Sequence, residues 1–304
     1  MLLDEIVSYC DKQYMSYGDK CGCTKCNHSG VCSGSCHNCL YEIHFPERQQ
    51  ATVIKSKYDC QKMMYFYVCE YTYRYASQIM YAFNRYTDTI MNMNRIRLMS
   101  LGCGGCPDLM AIEKFCKDNR YNGDIAYAGY DINTLWRPIH SEVKKYCDNN
   151  NIQRTFIEND VITYFSKYYV PNVNIIVISY LISSLYNTGQ ISKIDELFTE
   201  IRDNVVKRKK SGEKLLIIIN DINHDKKARD YFKKLYVELK KEKTLSVNYE
   251  YVYFDTGNLN YFQKVGSAYD SRKFLFTPDA YIQKKYSAGS CIDTRTIQLI
   301  MEVE

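Results

Sequence analysis

Short apolar runs alternate with segments of helical periodicity from about residue 96 onward. The apolar runs predict buried strands over 96–101, 125–130, 154–158, 174–179 and 214–220. Apolar positions at helical spacing predict helices over 108–119, 135–149, 191–209 and 226–243. Short apolar strands separated by helices are typical of an α/β fold with a doubly wound, mostly parallel sheet. Only strands are predicted after the last helix, over 249–254, 273–276 and 296–303, so we expect an antiparallel end to the sheet.

The first 95 residues follow other patterns. Residues 1–58 lack regular periodicity and are rich in Cys, Gly, Ser and Asn, which is typical of a small module held together by metal. Over 59–95, apolar and aromatic side chains recur at three- and four-residue steps and predict a helical connector, whose aromatic stripe is either core or a base-stacking surface. We therefore divide the chain into a cysteine-rich zinc module (1–58), a helical connector (59–95) and a cofactor-binding domain (96–304).

A glycine loop follows the first predicted strand of that domain. Gly102, Cys103 and Gly104 come directly before a predicted helix. Glycine lets the backbone approach a ligand closely, and the helix start presents free N–H groups to it. Asp131 ends the next strand, where a carboxylate accepts hydrogen bonds from ribose hydroxyls. Asp160 ends the third strand and either accepts from an adenine amino group or caps a helix, an alternative that also applies to Asp131.

In this order, these residues resemble the class I S-adenosylmethionine (SAM)-dependent methyltransferases. The resemblance covers about 96–304 and rests on the glycine loop after Leu101, on Asp131, on the stretch 159–161 and on the fourth strand at 175–180. It implies SAM as cofactor, a Rossmann-like seven-stranded sheet with a reversed last strand, and methyl transfer to a nucleophile. The cofactor-binding residues that it implies are Ser100, Leu101, Gly102, Cys103, Gly104, Asp131, Ile132, Asp160, Val161, Ser179 and Tyr180.

Two positions depart from the family's pattern. Ser100 stands where many members have an acid, and Cys106 stands where a third glycine is common. A nicotinamide-dependent dehydrogenase would show the same order of strand, glycine loop, helix and acid. Its fingerprint, however, needs Gly or Ala at the third loop position for close helix packing, and here Cys106 and Pro107 follow instead. The sequence therefore favours the methyltransferase.

The residues for catalysis are less clearly marked. Family members that methylate exocyclic amines of bases usually carry Asn or Asp, two prolines and an aromatic after the fourth strand, whereas this chain has Ser179 and Tyr180 followed by Leu181. Candidate catalytic groups are Tyr180, Asp221 and His224, and His224 is either a general base or an exposed loop residue. Two functions stay open: a methyltransferase acting on a macromolecule, and a non-catalytic SAM-binding sensor or interaction protein.

Cysteines cluster near the N-terminus. Six of the 14 cysteines lie between residues 21 and 39, with spacings suited to the four S or N ligands of zinc. We predict two zinc ions, and their ligand candidates are Cys21, Cys23, Cys26 and Cys32 for the first and Cys36, Cys39 and two of His44, Cys60 and His37 for the second. A single site formed by Cys23, Cys26, Cys36 and Cys39, or an iron–sulfur cluster, is the alternative. The role is either structural or substrate-recruiting.

Charge and hydropathy bear on partners and location. The net charge is +5, and residues 201–304 hold 20 Lys and Arg against 14 Asp and Glu. A basic face attracts RNA or DNA, which favours RNA over protein as substrate, although the same charges also suit a solvated helix face with i,i+4 pairs. No apolar run approaches the ~18–20 residues that cross a bilayer, and residues 1–5 lack the pattern of a signal peptide. We therefore expect a cytoplasmic protein without a membrane partner.

Overall fold

One mixed sheet organises the molecule. The computed structural model describes residues 1–18, 35–45, 58–210, 212–255 and 262–304. The strands are β1 (Arg95–Leu101), β2 (Asp124–Tyr130), β3 (Gln153–Ile157), β4 (Ile175–Ser179), β5 (Leu215–Ile222), β6 (Val247–Tyr253), β7 (Ser267–Ala268) and β8 (Thr296–Val303). They lie in the order β3-β2-β1-β4-β5-β8-β6-β7, with β1 to β5 parallel and β8 antiparallel to both β5 and β6. The predicted Rossmann-like α/β fold is confirmed.

The last part of the sheet differs from the expected seven strands. The two-residue β7 pairs with β6 and adds an eighth strand at the edge. The strand predicted over 273–276 is wrong, because this stretch makes only an isolated bridge between Lys273 and Cys291. The backbone amides of Leu275 and Phe276 donate instead to the hydroxyl of Ser77. The apolar side chains of this stretch therefore serve packing and not strand pairing.

Helices cover both faces of the sheet. They are α1 (Leu2–Ser16), α2 (Cys36–His44), α3 (Gln61–Arg85), α4 (Thr87–Met91), α5 (Pro107–Asp118), α6 (Arg137–Asn149), α7 (Val161–Lys167), α8 (Leu181–Asn187), α9 (Ser192–Glu200), α10 (Arg229–Leu239) and α11 (Ala280–Tyr286). The helix predicted over 191–209 continues beyond α9 as a π turn, Ile201–Val205, and a 3-10 turn, Val206–Arg208. Among the described residues, no helix combines the length and the apolar character needed to cross a bilayer.

Alternate residues of the buried strands face opposite helix layers. In β1, Ile96 and Leu98 pack in one cluster with buried residues of α1, α3, α5 and α6. Met99 and Leu101 pack in the other cluster, with α7, α8, α9 and α10. Since side chains alternate along a strand, each central strand needs apolar residues at every position, which explains its continuous apolar run.

The N-terminal segment contains a helix that the sequence analysis did not predict. Leu2, Leu3, Ile6, Val7 and Cys10 recur at helical spacing and are buried together on one face of α1. This face belongs to the same cluster as α3 and α5. The expectation that residues 1–58 lack periodicity is therefore wrong for α1. The division of the chain into three domains stays a prediction.

A buried polar network fastens α3 to the sheet. The Gln78 side chain, which is fully buried, accepts hydrogen bonds from Tyr180 Oη (3.1 Å) and Asn220 Nδ2 (2.9 Å) and donates to Thr296 Oγ1 (3.0 Å). Gln298 Nε2 donates to the Gln78 carbonyl oxygen (2.8 Å) and to Asn220 Oδ1 (3.1 Å). Because buried polar groups are stable only when they are paired, this network specifies how α3 lies on the strands.

Candidate functional site

The glycine loop joins β1 to α5 and is held against the end of β2. Gly102 and Gly104 have φ values of +72° and +48°, a region that residues with side chains rarely adopt. The amides of Gly102 and Cys103 donate to the carbonyl oxygen of Tyr130, at 2.8 and 3.0 Å. A Cβ atom at Gly104 would lie 3.4 Å from the Trp136 ring. The loop is therefore tightly packed as well as conformationally specific.

Asp131 at the tip of β2 binds the same loop. Its Oδ2 accepts from the amide of Gly104 (2.9 Å), and its Oδ1 accepts from the amide of Asn133 (2.9 Å). Burial raises the pKa of Asp131, while these two N–H groups and His140 oppose the shift. The glycine loop and the predicted ribose-binding acid are thus in direct contact.

A second carboxylate lies beside the loop and was not among the predicted residues. Asp108, in the first turn of α5, is buried and accepts a hydrogen bond from Tyr127 Oη (3.1 Å). Burial raises the pKa of Asp108 to about 7. Its Oδ2 is buried with no hydrogen-bond partner among the described residues. The only feature of the sequence that could have identified Asp108 is its position, as an acid in the first helical turn after the glycine loop.

A small cavity adjoins these groups at the carboxyl ends of β1 and β4. Its lining includes six of the eleven predicted cofactor-binding residues: Ser100, Gly102, Cys103, Gly104, Ser179 and Tyr180. Asp108 also lines it, as do Tyr67 and Tyr75 of α3. The cavity volume is about 30 Å³, which is room for about one water molecule. The Tyr75 ring lies 4.4 Å from the Tyr180 ring and closes one side. The aromatic stripe of α3 is therefore interior packing at this site.

Strand order separates the two cofactor folds that the sequence left open. A dinucleotide-binding sheet usually has the order 3-2-1-4-5-6 with all strands parallel. Here β8, the last strand among the described residues, runs antiparallel and lies between β5 and β6. The sheet therefore has the reversed last strand that the resemblance to class I SAM-dependent methyltransferases implies.

Comparisons with known proteins give weak similarities. No protein-family model and no curated protein matches the chain. Similar solved structures include a precorrin-8w decarboxylase from Methanobacterium thermoautotrophicum, a putative SAM-dependent methyltransferase from Streptococcus mutans and an rRNA methylase from Streptococcus thermophilus. Their identities are 15%, 12% and 10%, and their TM-scores are 0.35, 0.38 and 0.35. The matches cover 68%, 72% and 71% of this chain and 81%, 48% and 92% of theirs. Such low scores give no information about a substrate.

Other predicted cofactor residues lie away from the cavity lining. Leu101 is fully buried in the sheet, and Ile132 is 67% exposed. Asp160 caps α7 by accepting from the Thr163 amide (3.0 Å), and Lys193 Nζ lies 2.8 Å from its Oδ2. Val161 is the first residue of α7. Burial would raise the pKa of Asp160, but Lys193 and the Thr163 amide outweigh it and lower the pKa. The adenine-side assignment of 160 and 161 stays a prediction.

The three candidate catalytic residues have different surroundings. Tyr180 has a left-handed backbone (φ +55°) and donates its hydroxyl into the Gln78 network. Asp221 is fully buried, and its Oδ2 accepts from the Ser183 amide (3.0 Å). The His224 side chain is 44% exposed and lies 3.2 Å from Asp225. Of the three, only Tyr180 lines the cavity.

The burial of Asp221 predicts a pH dependence of stability. Burial raises the pKa of Asp221 to about 6, above its value of about 3.9 in an unfolded chain. The folded state therefore binds the carboxyl proton of Asp221 more tightly than the unfolded state does. The stabilisation from this proton, about 2–3 kcal/mol of unfolding free energy, is lost as pH rises from about 4 to about 7. Asp221→Asn keeps an acceptor oxygen and should remove this fall. Urea unfolding of both proteins across this range checks it, and parallel stability curves would contradict it.

Five of the nine candidate zinc ligands lie among the described residues, including His37, whose Nδ1 lies 3.4 Å from Glu70 Oε1. Cys21, Cys23, Cys26 and Cys32 lie outside the described residues. Cys36, Cys39 and Cys60 are buried, and His44 contacts Tyr58 Oη (2.9 Å) and Tyr71 Oη (3.5 Å) through its two ring nitrogens. Within the described ranges, the only three Cys, His or acidic ligand atoms within 4.8 Å of one another belong to Cys103, Cys106 and His140. The two-zinc assignment stays a prediction.

Proposed function

We propose that the chain is a SAM-dependent methyltransferase that acts on a macromolecule, with RNA favoured over protein. The observation that carries this proposal is the bond between the Asp131 carboxylate and the Gly104 amide. It brings the predicted ribose-binding acid and the glycine loop together at the carboxyl ends of β1 and β2, where open α/β sheets bind their ligands.

The residues of this site fit the parts of SAM. A carboxylate has about four acceptor positions, and the amides of Gly104 and Asn133 use two of those on Asp131. The remaining positions suit two ribose hydroxyls. Asp108 Oδ2, which has no hydrogen-bond partner in the described part of the chain, suits the cofactor's amino group. It lies beside Ser100, where many family members carry the acid themselves. When bound, SAM supplies a methyl group on a sulfonium ion.

The RNA preference is supported by the basic C-terminal third. Several of its cations contact acids, as Lys207 contacts Asp203 and Glu242 and Lys234 contacts Asp195. These pairs are partly exposed, and exposed ion pairs contribute little stability. Their lysines can therefore exchange a carboxylate for a phosphate at small cost.

One observation favours a non-catalytic SAM-binding protein as the second candidate. Tyr67 and Tyr75 of α3, with Tyr180, close the cavity beside the glycine loop. A nucleophile would have to reach the methyl group through this aromatic wall, so turnover requires α3 to shift. A protein that only senses SAM requires α3 to shift when the ligand enters, but not for a substrate to approach.

A two-step experiment tests both candidates. Calorimetric titration of the full chain with SAM should show saturable binding that S-adenosylhomocysteine competes away, and no binding at high micromolar SAM would contradict both. Transfer of a tritiated methyl group from SAM to total RNA, DNA and cell protein then separates them. Label in RNA supports the favoured substrate, and label in protein alone would overturn it. Binding without transfer to any of the three would support the sensor.

A further inference from the structure

Three potential metal ligands meet beneath the glycine loop. The Sγ atoms of Cys103 and Cys106 and a ring nitrogen of His140 all lie within 4.8 Å of one another. Cys103 Sγ is 3.8 Å from His140 Nε2. The three residues are 2%, 0% and 4% exposed, so the cluster lies in the interior and not on the surface. We propose that Cys103, Cys106 and His140 bind one zinc ion that holds the glycine loop in place.

The separations suit tetrahedral zinc. With Zn–S bonds of about 2.3 Å and Zn–N bonds of about 2.0–2.1 Å, a tetrahedral ion places sulfur and nitrogen ligands about 3.6 Å apart and two sulfurs about 3.8 Å apart. The observed 3.8 Å between Cys103 Sγ and His140 Nε2 is close to the first value. Ligation therefore needs only small movements of the side chains.

The surrounding residues leave space for the ligands and orient them. Cys103 and Cys106 are separated by two glycines, the Cys-x2-Cys spacing that lets one turn offer two thiolates to a single ion. A Cβ atom at Gly129 would lie 2.9 Å from Cys103 Sγ, so the absence of a side chain there makes room for the thiol. The His140 ring stacks on Phe156 at 4.2 Å and 14°. These contacts fix two of the three ligands.

Without an ion, the backbone of the cluster is unfavourable at one residue. Cys106 has a left-handed backbone, with φ +63°, which strains a residue that carries a side chain. His140 Nε2, the ring nitrogen that faces Cys103 Sγ, lies 2.8 Å from the Gly104 carbonyl oxygen. Zinc ligation by two thiolates and a neutral imidazole would balance the buried charge and offset the strain at Cys106.

The fourth ligand has two sources in the same place. The Gly104 carbonyl oxygen lies 2.8 Å from His140 Nε2 and 3.8 Å from Cys106 Sγ. The adjacent cavity, which Cys103 and Asp108 help to line, has room for one water. A site with three protein ligands and a water or carbonyl oxygen is four-coordinate, as zinc requires.

Zinc content of full-length variants tests the proposal. Cys106→Ser and His140→Asn should each hold one zinc per chain fewer than the native protein by elemental analysis, and His140→Cys should restore it. Cys116→Ser is the matched control, because Cys116 is buried in α5, the helix that begins directly after Cys106. This variant should keep the native zinc content. The N-terminal cysteines are also predicted ligands, so Cys23→Ser is a second control. This variant should keep the zinc ion of this site, which would show that the site fills independently of them. Unchanged zinc content in folded Cys106→Ser and His140→Asn would overturn the proposal.

A second measurement does not depend on any variant folding. Crystals of the native chain, grown with zinc and a reductant, should show an anomalous difference peak between Cys103, Cys106 and His140 at the zinc absorption edge. Density for three side chains with no ion between them would overturn the proposal. The two cysteines and the histidine would then serve only as core packing. Neither measurement involves SAM or methyl transfer, so its result is separate from that of the proposed function.

Discussion

Asp131→Ala should weaken SAM binding by at least ~100-fold. The variant loses an acceptor for two ribose hydroxyls, and hydrogen bonds to a charged group contribute about 1.5–3 kcal/mol each. It also frees the amides of Gly104 and Asn133, which Asp131 now holds at 2.9 Å, so the glycine loop loses its tie to β2. Calorimetric titration of the variant and the native chain with SAM measures the change.

A graded control separates ribose binding from loop support. Asp131→Asn keeps one oxygen that can accept from the Gly104 amide but loses the charge and the second oxygen, so its affinity should fall between those of the native chain and Asp131→Ala. Asp148→Ala removes an acid that is 60% exposed and pairs with Arg154, and it should bind SAM as the native chain does. An Asp131→Ala affinity within about threefold of the native value would refute the ribose assignment.

Gln78→Ala should lower the unfolding free energy by about 3–5 kcal/mol. The substitution removes the partner of Tyr180, Asn220 and Thr296, and a buried polar group left unpaired costs about 1–3 kcal/mol. It also leaves a cavity between α3 and the sheet. Urea unfolding followed by circular dichroism measures the loss.

The surface offers a matched comparison for this prediction. Gln283 lies on the exposed side of α11, and Gln283→Ala should change the unfolding free energy by no more than about 0.5 kcal/mol. A loss below about 1 kcal/mol in Gln78→Ala would mean that water or a rearranged side chain satisfies the network. In that case the attachment of α3 would depend on its apolar contacts alone.

The parallel half of the fold was predictable because its signals are local. The run predicted over 96–101 became β1, Arg95–Leu101, and the run over 125–130 became β2, Asp124–Tyr130. Both strands are buried between helix layers, which requires a continuous apolar run, and both end at loops that glycine or aspartate marks. The same signals located the glycine loop and Asp131, which the structure places in contact.

What the sequence did not predict depends on pairs that are distant along the chain. Gln78 meets Gln298 and Thr296 across more than two hundred residues, and nothing in the local pattern around Gln78 marks it as buried. The closure of the cavity by Tyr75 and Tyr180 is of the same kind. Helical spacing identified an aromatic stripe on α3 but could not say which surface would meet it.

The cysteines show how one pattern can conceal another. Cys103 and Cys106 have a spacing typical of metal ligands. They lie in the glycine loop, however, and a cofactor-binding loop was enough to explain that stretch of the sequence. Their proximity to His140 follows from the packing of α6 beside the loop, 34 to 37 residues further along the chain, so spacing alone could not supply the third ligand.

The position of β8 has a consequence for synthesis on the ribosome. This strand follows β6 and β7 in the sequence, yet it lies between β5 and β6 and carries Thr296 and Gln298 into the network with Gln78. While the chain is still emerging, β5 and β6 therefore lack their shared neighbour and their open edges are exposed to wrong pairing. A nascent chain of this protein should therefore depend on chaperones until residues 296–303 have been made, and a chain truncated before Thr296 should leave β5 and β6 unpaired with each other through β8.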